Sequence, residues 1–263
     1  MSHRKISIIT VVYNDVKMIE NTIQSVVNLS YPEIEYLVID GGSNDGTQAV
    51  INKFQNQIDL IVSEADKGIY DAMNKGVLKA TGDYLCFMNS GDSFAGVNVL
   101  DKIFEGTEDA AIIYCNNLIT YEAGFTRQHN ADNLSNIWKG SICSHQAMLI
   151  KRAYQREHLY ALNAGLCSDF HFFYHAYKSS EKLYYKDINL AITSAGGVSD
   201  QNRVQVTKEF RAVIKDAGDL TVMRSLYYFF KIASHQIKGV IRALLPQVVV
   251  DFLVQTKHET NRL

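Results

Sequence analysis

Three short stretches gather the residue types that chemistry on a charged, oxygen-rich ligand requires. Asp40-Gly-Gly-Ser-Asn-Asp-Gly-Thr47 sets a carboxylate before a glycine-rich turn. Asp40 can accept hydrogen bonds from a base or ribose, the glycines allow close backbone approach, and Asp45 or Thr47 can cap a helix. GxGxxG and Gly-Lys-Ser/Thr are both absent, so this is neither a dinucleotide fingerprint nor a P-loop; a plain βα turn is the alternative. The second stretch, Ser63-Glu-Ala-Asp-Lys-Gly-Ile-Tyr-Asp-Ala-Met-Asn-Lys-Gly76, packs carboxylates, lysines and an amide around one glycine. Such density beside a buried strand is costly unless it faces a ligand or solvent. Asp71, Asn74 and Lys75 share a helix face by their i, i+3, i+4 spacing. The third, Asn89-Ser-Gly-Asp92, ends an apolar run with hard oxygen ligands. It can hold Mg²⁺ or Mn²⁺ against a diphosphate, or it is a simple β-turn.

Alternating strands and helices must position these stretches. Ile6–Val12 is apolar on both faces and reads as a doubly covered strand. Helical spacing follows over 16–29, with strands expected at 36–39, 60–62 and 84–88 and helices at 43–54 and 70–80. Repeated β-α units imply a Rossmann-like, mainly parallel sheet with flanking helices, whose ligands bind beyond the carboxyl ends of the strands. Asp40 and Asp92 both stand at such ends. Further strands are expected at 112–114, 118–121, 146–150 and 191–199, a helix at 169–177, and helical pattern from Val204 onward, broken at Pro246.

The chain has 263 residues, 47% hydrophobic and 21% charged, with a net charge of −2. That excludes disorder as the main state and gives no sign of a nucleic-acid partner. Cys86, Cys115, Cys143 and Cys167 form no CxxC pair and are expected to be buried free thiols. The opening apolar run is too short for a signal sequence, and no stretch reaches the ~18 apolar residues of a spanning helix. These features predict a cytoplasmic protein, or one peripheral on the inner face of the plasma membrane.

In order and spacing, the three stretches resemble the inverting glycosyltransferases of family two, which have the GT-A fold. The resemblance runs over about residues 4–215, opens at Ile8-Ile-Thr-Val-Val-Tyr-Asn14, and is similar to bacterial polysaccharide-assembly members. It implies transfer of a hexose or N-acetylhexosamine from a nucleoside-diphosphate sugar, a UDP-sugar, to a saccharide or lipid-linked glycan acceptor. It also implies that Thr10, Val12, Tyr13 and Asp40 hold base and ribose, that Asp71 and Lys75 face the sugar-nucleotide, and that Asp92 ligates Mg²⁺ or Mn²⁺. One position departs: the family's metal motif usually carries two acids, and Asn89 fills the first place, which implies a weakened ion site. An inverting transfer needs one general base. By the resemblance Asp169, in the stretch Leu166 to Phe172, carries that role; the alternative is an acid that favours a helix dipole. Ser144-His-Gln146 places His145 near acceptor and phosphates. Gly196-Gly-Val-Ser199 with Arg203 resembles a loop closing over phosphates. A nucleotide-sugar binding subunit without turnover is the second reading. A nucleotidyltransferase is disfavoured, because residues 8–15 hold no glycine, lysine or arginine.

The neutral average hides two unlike parts. Residues 220–263 hold six Lys or Arg against two acids, a balance of +4, leaving −6 to the rest. No acid occurs between Asp219 and Asp251. Arg224, Tyr228, Lys231, His235, Lys238 and Arg242 recur as one helical stripe, with apolar residues covering the remainder. The expected division is a catalytic domain over 1–218 and a basic amphipathic helical tail over 219–263, with a possible membrane contact through 222–245.

Overall fold

The computed structural model describes residues 4–107, 109–121 and 124–244. Its first half is the expected alternation: β1 (Ile6–Val12), α1 (Ile19–Val27), β2 (Ile34–Asp40), α2 (Thr47–Lys53), β3 (Leu60–Ser63), α3 (Ile69–Lys79) and β4 (Tyr84–Phe87). β5 (Ser93–Phe94), α4 (Val99–Phe104), β6 (Ile112–Thr120), β7 (Thr126–His129), β8 (Met148–Lys151) and α5 (Arg152–Glu157) follow. α6 (Ser168–Lys178), β9 (Leu183–Ser194), α7 (Val198–Gln201), α8 (Arg203–Asp216) and α9 (Val222–Leu244) complete the described chain.

One sheet runs in the order β3-β2-β1-β4-β8-β6-β9-β5, with β7 pairing β6. β3, β2, β1 and β4 are parallel, with β1 buried along its whole length as its unbroken apolar run predicts. β8 joins β4 antiparallel, so the far half of the sheet is mixed. Two apolar layers cover it. One packs α3 and α6 residues such as Met73, Val77, Phe170 and Phe173 against Ile9 and Leu37. The other packs α1 and α4 residues such as Ile23 and Leu100 against Ile8 and Val38. All four cysteines are buried and free.

The two strands expected at 112–114 and 118–121 are one, β6. The polar pair between them stays in the sheet because its amides find partners there. Asn116 donates to Asp187 at 2.8 Å and Asn117 to the Thr193 hydroxyl at 3.1 Å. β9 likewise begins at Leu183, well before Ala191, held parallel to β6 through a bulge at Asn116.

The two helices that close the described chain have different duties. α8 packs Phe210 on Phe170 of α6, ring centroids 4.4 Å apart. Gly140 makes room for that ring: at φ +133, a Cβ there would stand 2.8 Å from it. α9 turns its basic stripe partly inward. Tyr228 is fully buried and donates to the Trp138 carbonyl at 2.7 Å. Lys231 donates to the Lys139 carbonyl at 2.8 Å, and the Arg224 guanidinium lies 5.3 Å over the Trp138 ring. Pro246, the rest of the tail from 245 and the Arg242 side chain lie outside the described residues.

Candidate active site

The ends of β1 and β2 form one wall. Val12 pairs with Asp40, and the Gly41 N–H donates to the Val12 carbonyl at 2.9 Å. Asp40 is fully buried. Its carboxylate accepts bonds from the Ser43 N–H and hydroxyl, from Gln48 Nε2 at 3.1 Å and from the Ser63 hydroxyl at 2.6 Å. Such saturation satisfies the oxygens of a buried carboxyl in the crevice wall. Thr10 is buried too, its hydroxyl 3.0 Å from that of Tyr36. Tyr13, by contrast, is 63% exposed beyond the strand end. The absence of a side chain at Gly41 lets the Asp66 carboxylate come close; a Cβ there would also stand 3.3 Å from the Tyr13 ring. The sequence reading passed over Asp66; its place two residues before the positive-φ Gly68 is the signal that it turns back on the crevice.

α3 forms the next wall. Lys75 donates to the Ala65 carbonyl at 2.8 Å and pairs with Glu64 at 3.0 Å and Asp71 at 3.8 Å. Asp71 also accepts from the Lys67 N–H at 3.0 Å. Asp71 and Lys75 are thus brought together on one rim. Asn74 turns elsewhere, clasping the Tyr160 backbone through both amide atoms at 2.9 Å.

The turn after β4 faces α6. The Asn89 Nδ2 stands 2.9 Å from His145 Nε2. With the amide as donor, Nε2 accepts and the proton lies on Nδ1, which stands 3.5 Å from Asp169 Oδ2. The other Asp169 oxygen accepts the Tyr70 hydroxyl at 2.9 Å, and that hydroxyl also reaches the Leu166 carbonyl at 3.0 Å. His145 therefore joins the β4 turn to Asp169. Burial pushes the Asp169 carboxyl up, but the His145 bond, the Tyr70 hydroxyl and the Phe170 N–H outweigh it and hold it below the ordinary carboxylate value. It stands ionised at neutral pH with its side chain 20% exposed. Tyr70 lay within a motif singled out from the sequence, yet without a role; only the fold brings it across to Asp169.

Asp92 is held from two sides. Gln146 Nε2 donates to its carboxylate at 2.6 Å, and the Thr22 hydroxyl to its carbonyl at 2.8 Å. Burial raises its pKa to about 6, opposed by the Gln146 bond and by His145. Asn89 Oδ1 is buried without a hydrogen-bond partner. An unpaired buried oxygen beside an under-compensated carboxylate suits a cation. Two hard donors from one turn fit Mg²⁺ or Mn²⁺ whose other ligands are water and phosphate oxygens. Among the described residues no group of three or more His, Cys, Asp or Glu side chains could hold an ion alone.

Arg203 lies apart from these contacts. It pairs with Asp200 at 2.7 Å and lines a cleft with His235 and Lys238 of α9.

The family model described as "Glycosyl transferase family 2" matches residues 7–178. An uncharacterised glycosyltransferase of Mycobacterium tuberculosis is 40% identical over 101 residues, 38% of each chain. A PGL/p-HBAD biosynthesis glycosyltransferase of the same species is 30% identical over 152 residues, 56% of this chain and 59% of that one. The matches thus span well under two thirds of these relatives. Among solved structures, S. aureus TarS in complex with UDP superposes with TM-score 0.62 at 19% identity, over 80% of this chain and 65% of that one. A Pyrobaculum calidifontis mannosyltransferase in complex with GDP-Man and Mn²⁺ superposes with TM-score 0.67 at 14% identity, over 100% of this chain and 81% of that one. The fold is therefore GT-A.

Proposed function

Since the chain belongs to glycosyl transferase family 2 and is a transferase, we propose that it moves one sugar, with inversion, from a UDP-sugar to a saccharide or lipid-linked glycan acceptor in cell-surface polysaccharide synthesis. The observation that carries this reading is the link from Asn89 through His145 to Asp169, which sets a carboxylate base opposite the β4 turn. The nucleotide lies across the ends of β1 and β2, with Tyr13 and the Val12 backbone at the base. Asp40 and Thr10 hold that wall from inside. Asp71 and Lys75 border the donor.

Asp169 takes the proton of the acceptor hydroxyl as that oxygen attacks the anomeric carbon. The bond to the diphosphate oxygen breaks, and the diphosphate leaves with the electron pair. His145 keeps its Nδ1 proton toward Asp169 and orients it. Mg²⁺ or Mn²⁺ held at Asp92 and Asn89 would supply charge neutralisation to the diphosphate. A peripheral membrane position through 222–245 belongs to the same reading. A binding subunit without turnover is the second reading, favoured by the single carboxylate at the β4 turn.

A thermal-shift panel of UDP-, GDP- and dTDP-sugars, with and without Mn²⁺, tests donor binding. Ligand at a hundredfold its Kd stabilises by about 2.7 kcal/mol. The UDP-sugars are expected to raise the melt most. No shift with any nucleotide would sink the transferase reading of this site.

A further inference from the structure

Asp169 is the second residue of α6, and Cys167 just before that helix makes no side-chain cap. The amides that open a helix have no partner within it, so the turn Gly165–Cys167 draws an acceptor from elsewhere. Glu209 supplies it from α8: its carboxylate accepts the Leu166 N–H at 2.8 Å. Its other oxygen accepts from Gln205 Nε2 at 2.9 Å, one turn back along α8. The next residue, Phe210, is the one whose ring packs on Phe170. Two consecutive α8 residues therefore bracket the base, one on the turn before it and one on the residue after it.

Gly165 shows how close the approach is. Its φ is +70, and a Cβ there would collide with the Glu209 carboxylate. Cys167 lies in reach of both acids: burial first, then the charges of Glu209 and Asp169, push its thiol pKa up. Leu166 is held at both ends. Its N–H meets Glu209, and its carbonyl accepts the Tyr70 hydroxyl that also reaches Asp169. A continuous set of contacts thus runs from Gln205 through Glu209, Leu166 and Tyr70 to the base. α8 begins at Arg203, beyond the residues 7–178 that the family model matches.

We propose that Glu209 is a positioning residue for the transfer: its bond to the Leu166 N–H fixes the turn that aims Asp169 at the acceptor hydroxyl. Glu209 acts through the base, so the inference rests on the reading of Asp169 as that base.

The test is release of nucleoside diphosphate, with water in place of the acceptor, from the nucleotide sugar that gives the largest thermal shift. All variants are assayed well below their melting temperatures. Glu209→Ala should lower kcat by about 10–100-fold, the scale of a misplaced reacting group, at an unchanged donor thermal shift. Glu209→Gln keeps the length and an acceptor oxygen and should return most of that rate. Glu209→Asp keeps the charge, is one methylene short, and should fall with the alanine variant. Ile214→Val removes a buried methyl from the same helix and no polar contact; it should lower the melt and leave kcat unchanged. In the Asp169→Asn background, Glu209→Ala should cost nothing further. Release at the wild-type rate by Glu209→Ala overturns the proposal, as does an active Glu209→Asp beside an inactive Glu209→Gln. So does a loss in the Asp169→Asn background equal to that in wild type, since Glu209 would then act elsewhere. These outcomes strike the positioning role alone; wild-type release by Asp169→Asn by itself would strike the base reading and this proposal with it.

Discussion

Replacing Tyr70 by Phe removes one hydroxyl and leaves the ring. The ring packs on Tyr160 with centroids 5.4 Å apart, a contact that Phe keeps. What goes is the donor to Asp169 at 2.9 Å and to the Leu166 carbonyl at 3.0 Å. A hydrogen bond to a charged group contributes about 1.5–3 kcal/mol, and 1.36 kcal/mol corresponds to one pKa unit. His145 and the Phe170 N–H remain on the carboxylate, while Tyr160, Cys143 and Cys167 face it without donating to it. The lower end of the range then applies: the Asp169 pKa should rise by about one unit. Asp169 acts as base only when ionised, so the acid limb of kcat/KM should move up by about one pH unit. The linkage has the same sign. A depressed folded pKa contributes stability that is present above the unfolded value and lost as pH falls through the folded one. The variant should therefore lose about 1–2 kcal/mol at neutral pH and melt several degrees lower, and that deficit should shrink in acid. Nucleotide release measured across pH, with melts on the same samples, reads both effects. A lowered melt with an unmoved acid limb would refute the reasoning, since the hydroxyl would then only brace the Leu166 turn.

Two further perturbations follow from the packing and the β4 turn. Asn89→Asp puts a charge on the oxygen that has no partner. Without metal it should melt lower, because Asp92 beside it is already pushed up by burial; Mn²⁺ should restore the melt, at a lower concentration than wild type requires for activity. Gly76→Ala would place a Cβ 2.5 Å from Ile9 Cγ2 and 3.5 Å from Ile39. Overpacking of about 1–3 kcal/mol, partly offset by the better helix propensity of Ala, should lower the unfolding free energy measured by denaturant titration by about 1 kcal/mol.

The parallel half of the sheet was legible because doubly buried strands announce themselves as unbroken apolar runs, and glycine turns mark their ends. β5, β7, α4 and α5 were not. They are short, and β7 is exposed throughout, so no periodicity separates it from a loop. β6 was cut in two because Asn116 and Asn117 satisfy their amides across strands, which a one-dimensional pattern does not register. At the site, the sequence marked Asp169, His145 and Asn89 separately. Their mutual reach depends on how α6 docks against β4 and α3, a long-range packing result. The tail shows the same limit in reverse. Its amphipathic period was plain, but which side faces the protein is decided by Tyr228 and Lys231 meeting the carbonyls of Trp138 and Lys139.

The central claim is that Asp169 takes the acceptor proton. Asp169→Asn keeps the shape and an acceptor oxygen for Tyr70 while removing the base. Sugar transfer by this variant, measured at a donor concentration where its thermal shift equals that of wild type, tests the claim most directly. The account predicts an intact donor shift with transfer reduced by a factor of about 10²–10⁴. Transfer at the wild-type rate would contradict it.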